Sequence, residues 1–220
     1  MLLLALDTAT GKGSVALTDG GRLLGESSLE SQGAYLTLLL PGIEALLKAT
    51  GRRLEEVEAI GASAGPGHFT GLRIGVATAK ALAWALEIPL VPVPTLEVLA
   101  AQVPSQSQPL AVLLDAKRGE VFYGLYLSPE ERPRLLAGPE RLKVEDLPAR
   151  LPPPPLMLTG PGLDAHRRFL QAALPDLPWA PPEAHYPRAR TVARLARVRL
   201  AEGLTVPPAQ LVPTYLTPAL

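Results

Sequence analysis

The sequence contains no cysteine and no asparagine, and only 5% of its residues are aromatic. Without cysteine, the chain cannot form disulfides, zinc ribbons, iron–sulfur clusters or a thiol nucleophile. The 25 prolines, together with the missing asparagine, favour a thermophilic source. The three histidines, His68, His166 and His185, lie far apart in the sequence, and neither H-x-x-x-H nor H-E-x-x-H occurs. We therefore predict no metal site and no zinc hydrolase.

An excess of charge of one sign is also absent, because Lys and Arg total 21 and Asp and Glu total 21. Bulk charge therefore gives no reason to expect a protein that binds nucleic acid or a membrane surface by itself. No apolar run approaches the ~18 residues of a membrane span. The run after Met1 reaches Asp7 with no basic segment before it. We expect a cytoplasmic chain that makes no contact with a membrane.

The 220 residues divide into two halves that begin in a similar way. The apolar run 2–6 ends at Asp7, and a second apolar run, 110–114, ends at Asp115. Each run is too short for a helix and precedes an alternating segment, so each predicts a buried strand and a hairpin. We predict two α/β lobes, 1–104 and 105–220, related by an internal repeat, with the chain end able to dock on the first lobe. A chance match of the two Asp positions is the alternative.

Helical spacing of apolar residues predicts three longer helices, at 34–49, 70–86 and 191–202. The first is apolar nearly all round, which favours a helix that is covered on two sides. Short apolar runs predict further strands at 23–29, 58–64 and 156–159. The order of strand, Gly-Pro-Gly turn and helix occurs in both halves, which agrees with a repeat.

The most informative segment is Gly65-Pro66-Gly67-His68-Phe69-Thr70-Gly71-Leu72-Arg73-Ile74-Gly75, between a predicted strand and a predicted helix. A glycine-rich turn in this place exposes amide groups at the positive helix end, which suits a phosphate or a carboxylate. The segment lacks the GK[ST] ending of a Walker A loop. A tight turn whose glycines only allow close packing is an equal alternative. The candidate anion-binding residues in this segment are Gly65, Gly67, His68, Thr70 and Arg73.

A second candidate site lies at the end of the first predicted strand, where Thr8 and Thr10 follow Asp7. A turn there could hold a phosphate or a metal-bound water. A turn in which these side chains bond their own backbone is the simpler expectation. We keep Asp7, Thr8 and Thr10 as possible anion-binding residues.

Small residues recur every four positions along the second predicted helix and predict a smooth groove into which another helix could pack. Packing inside the same lobe is the alternative. Together with the apolar first helix, the groove predicts a face for a partner, which would be a second copy when the chain is alone. The candidate interface residues are Tyr35, Leu38, Gly71, Gly75, Ala79 and Ala83.

A basic face is predicted on the last helix, because Arg190, Arg194 and Arg197 fall at positions i, i+4 and i+7. Such a face could contact RNA. No aromatic residue is interleaved for base stacking, so a solvated helix face is the favoured interpretation.

Several of these segments together resemble the TsaB family. The matching segments are Leu4-Ala5-Leu6-Asp7-Thr8-Ala9-Thr10, the glycine segment 65–75, Ala79-Lys80-Ala81-Leu82-Ala83, Leu114-Asp115-Ala116-Lys117-Arg118-Gly119-Glu120-Val121-Phe122 and Pro213-Thr214-Tyr215-Leu216. The resemblance is strong over roughly residues 1–125 and returns at the tail. It implies an actin-like fold (ASKHA, ribonuclease H-like), with two similar lobes that each hold a mixed sheet flanked by helices.

The resemblance also implies a role in tRNA modification in which this chain is not the enzyme. Members of the family pair with a catalytic relative, TsaD, and with TsaE, so that threonylcarbamoyl passes to N6 of the adenosine beside the tRNA anticodon. We therefore expect a heterodimer with TsaD, contact with tRNA only within the complex, and no cofactor. Two other classes remain open. They are an actin-like-fold ATPase or small-molecule kinase and, disfavoured for want of ligands, a metal-dependent glycoprotease.

Overall fold

The computed structural model describes residues 1–30, 34–104, 106–128 and 132–216. The chain forms two compact units, Met1–Val98 with Pro187–Thr214, and Leu99–Tyr186 with the residues that follow Thr214. Each unit holds one mixed sheet with helices packed on it. The predicted α/β class is therefore confirmed. In the described ranges, no helix combines the length and the apolar character that a membrane span requires.

The first unit is built from five strands and the longer helices. The strands are β1 Leu2–Asp7, β2 Lys12–Asp19, β3 Arg22–Glu30, β4 Ala59–Ser63 and β5 Leu90–Val93, and the helices are α1 Tyr35–Ala49, α2 Phe69–Ala85, α3 Thr95–Ala100 at the unit boundary and, near the chain end, α7 Ala189–Ala201. The sheet order is β3-β2-β1-β4-β5. β1 is antiparallel to β2, whereas β1, β4 and β5 run parallel. The carboxyl ends of these three parallel strands therefore meet at one edge of the sheet.

The second unit repeats this arrangement with four strands in the order β8-β7-β6-β9. Its elements are β6 Gln106–Lys117, β7 Glu120–Ser128, β8 Arg134–Lys143, α4 Leu147–Arg150, β9 Met157–Thr159, α5 Gly162–Ala165 and α6 Arg167–Ala173. β6 is antiparallel to β7 and parallel to β9, just as β1 is antiparallel to β2 and parallel to β4. The predicted internal repeat thus agrees with the topology. The helix expected after the second Gly-Pro-Gly turn is broken at His166 into two short helices, α5 and α6.

Every residue of β1 is buried, because helices cover both faces of this central strand. Leu4 and Leu6 belong to the core that includes Leu39 of α1 and Val76 of α2. In the neighbouring strand β4, Gly61 faces α7, since a Cβ there would lie 2.7 Å from the Cβ of Ala196. The continuous apolar run at 2–6 is therefore the signature of a strand with two covered faces.

The last helix belongs to the first unit, whereas the predicted division of the chain at 104/105 assigns it to the second lobe. α7 packs on β1, β2, β4 and β5 of the first unit, although the division places it in the lobe 105–220. The physical reason is fit, because α7 buries Val192, Leu195 and Ala196 against a sheet face that Gly61 leaves open for close approach. The predicted boundary itself borders Ser105, which lies outside the described residues.

The predicted basic face of α7 is partly neutralised within the first unit. The buried carboxylate of Glu26 in β3 accepts hydrogen bonds from the Arg188 side chain at 2.8 Å and from the Arg190 side chain and backbone. Burial lowers the pKa of Arg194, and the charge of nearby Arg197 lowers it further. Arg190 therefore fixes the start of α7 to β3, and it does not belong to a row of free cations.

We expect Glu26→Gln to loosen the first turn of α7. The change removes the charge from a carboxylate that accepts hydrogen bonds from two guanidinium groups and one backbone amide. A hydrogen bond to a charged group contributes roughly 1.5–3 kcal/mol to the free energy of unfolding. Both arginines are partly exposed, and solvent weakens such ion pairs. We therefore expect the loss of unfolding free energy to be about 1.5 kcal/mol, the lower end of this range. Urea denaturation and amide exchange in α7 measure it, with the exposed Glu55→Gln as control. Equal stability of the two variants would contradict this assignment.

Candidate functional site

Buried polar side chains meet at the edge where β1, β4 and β5 end. Asp7 is the last residue of β1, Ser63 is the last of β4, and Thr95 follows β5; each is at most 4% exposed. Both carboxylate oxygens of Asp7 and the hydroxyls of Ser63 and Thr95 lack a hydrogen-bond partner within normal distance in the described part of the chain. Burial raises the pKa of Asp7 to about 7, against the opposing effects of the Ser63 hydroxyl and the Ala9 amide. Asp7 therefore keeps its proton at mildly acidic pH and is about half protonated near pH 7.

We expect Asp7→Asn to change how the stability of the fold depends on pH. Because the pKa of Asp7 in the folded state, about 7, lies above the ordinary value of 3.8, its contribution is fully present below about pH 4. That contribution is lost as the pH rises through 7. A difference of three pKa units corresponds to about 4 kcal/mol. The free energy of unfolding of the variant, measured in urea, should therefore rise relative to that of the wild type by up to about 4 kcal/mol between pH 4 and pH 8.

The control for this prediction is Asp146→Asn, an exposed aspartate in the second unit. Its difference from the wild type should stay constant between pH 4 and pH 8. If Asp7→Asn behaves in the same way, Asp7 is already ionised in the folded protein at acidic pH.

The turn between β1 and β2 is closed by bonds within its own unit. The Thr8 hydroxyl donates to the Gly71 carbonyl at 2.8 Å, and the Thr10 hydroxyl donates to the Lys12 carbonyl at 3.0 Å. The Tyr35 hydroxyl donates to the Thr10 carbonyl at 2.8 Å. Because Thr8 and Thr10 are buried, the structure does not present them or Asp7 to a ligand at the surface. The Thr10 side chain therefore bonds the backbone of its own turn, which is the simpler of the two arrangements expected from the sequence.

The glycine-rich turn is a close-packing device in this structure. A Cβ on Gly67 would lie 2.5 Å from the Ala9 carbonyl oxygen, and a Cβ on Gly65 would lie 2.6 Å from the Thr214 carbonyl oxygen. Gly65 also has a φ of 108°, which disfavours other residues. The His68 amide at the start of α2 donates to the Ala9 carbonyl at 2.7 Å. The amide at this helix end is therefore already satisfied within the protein.

The predicted partner groove was the wrong choice of face, because it faces the core of the first unit. A Cβ on Gly75 would lie 2.1 Å from the Thr8 hydroxyl oxygen, and a Cβ on Gly71 would lie 2.4 Å from the Thr8 carbonyl oxygen. Ala79, Ala83 and Tyr35 are also buried inside the first unit, and Leu38 is half-buried. The small residues of α2 let the helix approach β1 and α1, so they are not available to a second protein.

A different row of α2 points outward, and sequence reasoning missed it. The row is Phe69, Arg73, Ala77, Ala81 and Trp84, and each of these residues is exposed. On α1, Leu36 is 78% exposed and Leu40 is 57% exposed. We call these seven residues the helix face. The side chain of Tyr35, next to Leu36, approaches Gly71 of α2, so the first turns of the two helices lie together.

The helix face carries an ordered cation. The guanidinium of Arg73 lies 4.9 Å from the centre of the Phe69 ring, which is the geometry of a cation–π contact. Thr70, the other polar candidate at this end of α2, is exposed. Of the predicted anion-binding residues, Arg73 and Thr70 are therefore the exposed ones, while His68 is half-buried.

The matching aspartate of the second unit has a different environment. Asp115 accepts hydrogen bonds from the Lys117 amide at 2.8 Å and from its ammonium group at 2.6 Å. Burial raises the pKa of Asp115, but the two hydrogen bonds and the charge of Lys117, together with the charge of His166, lower it below its usual value. The pKa values of the two repeated aspartates are thus shifted in opposite directions. Among the described residues, no cluster of three or more His, Asp or Glu side chains could hold a metal ion.

Comparisons with known proteins agree with one another. A family model described as "TsaD: tRNA N6-adenosine threonylcarbamoyltransferase" matches residues 30–219. The tRNA threonylcarbamoyladenosine biosynthesis protein TsaB of Bacillus subtilis is 29% identical over 98% of this chain and 94% of its own length. YeaZ from Pseudomonas aeruginosa is 31% identical, with a TM-score of 0.81 over 97% of this chain and all of that one.

A more distant structure extends the comparison to fold alone. Component A of the Acidaminococcus fermentans (R)-2-hydroxyglutaryl-CoA dehydratase is 11% identical, with a TM-score of 0.54 over 91% of this chain and 99% of that chain. The two mixed sheets with repeated topology belong to the actin-like fold that the resemblance implies. The predicted fold is therefore confirmed.

Proposed function

We propose a function from the premise that this chain belongs to the TsaB family, within the group that the TsaD model describes. Its relatives are named for the biosynthesis of tRNA threonylcarbamoyladenosine, and this chain takes part in the same process. We propose that it does so in the cytoplasm as a non-catalytic subunit. In this role it supports the catalytic relative TsaD, together with TsaE, in the transfer of threonylcarbamoyl to N6 of the adenosine beside the tRNA anticodon.

The observation that carries this proposal is the helix face. Four large apolar side chains, on Leu36, Leu40, Phe69 and Trp84, are each more than half exposed on two adjoining helices. A group of large apolar side chains in water is typical of a surface that another protein covers. Aromatic residues and arginine, which this face also contains, contribute strongly to binding at the centres of interfaces.

The state of the β1–β2 turn supports a subunit that is not itself the enzyme. Asp7, the carboxylate at the end of β1, is wholly buried, and burial raises its pKa to about 7. The polar groups of Thr8 and Thr10 are bonded to the protein. A general base or a ligand for a hydrated cation must reach its substrate, and none of these groups does so in this arrangement.

Reconstitution tests the proposal. The chain alone, TsaD with TsaE, and all three together are given tRNA and a threonylcarbamoyl donor, and modified adenosine is measured by mass spectrometry. We expect product only when the chain and TsaD are both present. Turnover by the chain alone that is lost in Asp7→Ala would contradict a non-catalytic role. Calorimetry of the chain with ATP and Mg²⁺ tests the ATPase alternative. That alternative predicts a heat of binding, whereas we expect none.

A further inference from the structure

Two exposed arginines lie at the turn between β2 and β3. The Arg197 side chain of α7 packs on this turn, because a Cβ on Gly21 would lie 3.2 Å from the Nε atom of Arg197. Arg22 follows Gly21 directly, at the start of β3, and both arginines are exposed. Within the described ranges, neither Arg22 nor Arg197 forms an ion pair. Their charges therefore face solvent beside one turn.

Arg194, one turn before Arg197 on α7, adds a third charge to this group. Its side chain is half-buried, and burial lowers its pKa. The charge of Arg197 lowers that pKa further, so the two guanidinium groups are close enough to repel each other. An anion beside both groups would oppose this repulsion with attraction. We call Arg22, Arg194 and Arg197 the arginine surface.

The carboxylates of the two strands that flank this turn are engaged elsewhere. Asp19, the cross-strand neighbour of Arg22, accepts hydrogen bonds from the Arg52 guanidinium and from the Met1 ammonium group, each at 3.2 Å. Glu26, farther along β3, binds the two arginines at the start of α7. Each of these carboxylates thus compensates cations outside the arginine surface, which keeps an excess of positive charge.

The arginine surface belongs to a helix on the opposite side of the first sheet from the helix face. In β4, Ile60 and Ala62 belong to the core that α1 and α2 cover, whereas Gly61 between them faces α7. Successive residues of a strand point to opposite faces of its sheet. α7 therefore packs on the face opposite to α1 and α2. A partner that covers the helix face leaves the exposed arginines of α7 and β3 in water.

The composition of the arginine surface favours phosphate groups of RNA as its ligand. A guanidinium group can bond a phosphate with two parallel hydrogen bonds. Neither α7 nor β3 contains an aromatic residue on which a base could stack. Such a surface contacts the backbone of a nucleic acid and does not read its sequence. The relatives of this chain are named for the biosynthesis of a modified tRNA, so an extended polyanion is the substrate of the process.

We propose that the arginine surface binds phosphates of the tRNA backbone when this chain is assembled with TsaD. The inference rests on the proposed function, which supplies both the partner and the tRNA. It deepens that function by assigning a contact with the substrate to this chain. Three cations release few counterions on their own, so the contact adds to the affinity of the complex and does not replace binding by TsaD.

Charge reversal at the two exposed arginines tests the proposal. The complex of this chain with TsaD is titrated into fluorescently labelled tRNA, and anisotropy gives the dissociation constant between about 50 and 300 mM NaCl. Arg22→Glu combined with Arg197→Glu should raise the dissociation constant at least tenfold at about 100 mM NaCl. The slope of its logarithm against the logarithm of salt should fall by about one for each lost contact, which is about two in total. Adding Arg194→Gln should lower the slope by about one more.

A matched control lies in the second unit. Lys143→Glu combined with Arg168→Glu makes the same change of net charge at two exposed cations. Its dissociation constant should stay within about threefold of wild type, with an unchanged slope. Circular dichroism and size-exclusion chromatography with TsaD confirm that each variant is folded and assembled. If the reversed variant does not assemble, Arg22→Gln with Arg197→Gln replaces it and should still lower the slope by about two.

The remaining outcomes separate this inference from its alternatives. Equal weakening by the reversed variant and the control would overturn it, because the overall charge of the complex would then govern binding. Calorimetry of the chain with inorganic phosphate tests for a site that takes a small anion. Heat that is lost in the reversed variant, together with unchanged tRNA binding, would overturn the contact with RNA.

Threonylcarbamoyl transfer is measured separately in the reconstituted system. A wild-type complex that binds tRNA through these arginines but transfers nothing would contradict the proposed function alone. An active complex whose tRNA affinity and salt slope are the same in the reversed variant would overturn the arginine surface alone.

Discussion

Ala79→Leu and Gly75→Leu are expected to unfold the first unit, not to separate two associated proteins. Ala79 is wholly buried, and a Cβ on Gly75 would already lie 2.1 Å from the Thr8 hydroxyl oxygen. An added side chain must push α2 away from β1, and overpacking of this kind costs roughly 1–3 kcal/mol or more. Replacing glycine by leucine in a helix gains only about 1 kcal/mol in helix propensity. The clash at Gly75 costs more than this gain, so we expect a net loss of stability.

A control on the same helix isolates the effect of packing. Ala81→Leu makes the same chemical change two residues along α2, where the side chain is exposed. We expect its unfolding free energy, from urea denaturation followed by circular dichroism, to stay within about 0.5 kcal/mol of wild type. If Ala79→Leu is as stable as Ala81→Leu, the small residues of α2 do not face the core and the structure of this contact is wrong.

The sequence determines the strands and helices of the first unit well, because their signals are local. The run 2–6 and the aspartate that ends it predict β1 and its carboxyl edge, and apolar spacing predicts α1 and α2 to within one residue at each end. The recurrence of the same layout around Asp115 predicts the repeated topology of the second sheet. Periodicity and turn chemistry depend on neighbours in the chain, so one sequence is enough to detect them.

The face that α2 buries could not be chosen from its sequence. The helix has two small-residue rows, one through Gly75 and Ala79 and one through Ala77 and Ala81. Either row satisfies helical spacing. The choice is made by Thr8 and Tyr35, which come from distant parts of the chain and fill the space beside Gly71 and Gly75. The exposed Phe69 and Trp84 were the available signal, because large aromatic residues flank the outward row and not the inward one.

The position of α7 was beyond sequence reasoning for a related cause. Its pattern predicts a helix with one apolar face, and the structure confirms a helix with that face buried. Which sheet receives the face depends on Gly61, which removes a side chain from the surface of β4, and on Glu26, which bonds the start of the helix. Both residues precede α7 by more than a hundred positions, so order along the chain favours the wrong lobe.

Leu36→Ser combined with Leu40→Ser is expected to abolish stable association with TsaD while leaving the chain folded. The two leucines are 78% and 57% exposed, so the folded chain alone loses little when they are replaced. Full burial of a leucine contributes roughly 1.5–3 kcal/mol, and the fractions of these two side chains that a partner can still cover bring the combined loss to about 2–4 kcal/mol. Because each 1.4 kcal/mol is tenfold in affinity, the dissociation constant should rise roughly thirtyfold to several hundredfold.

The chain supplies a matched control for this experiment in its second unit. Leu135 and Leu136 of β8 are 42% and 41% exposed, so replacing both with serine removes the same atoms from another surface. Binding to immobilised TsaD, measured by surface plasmon resonance, should stay within about threefold of wild type for that variant. Equal weakening by the two pairs would show that general apolar character drives association. An effect confined to Leu135 and Leu136 would move the partner surface from the helix face to the edge strand β8.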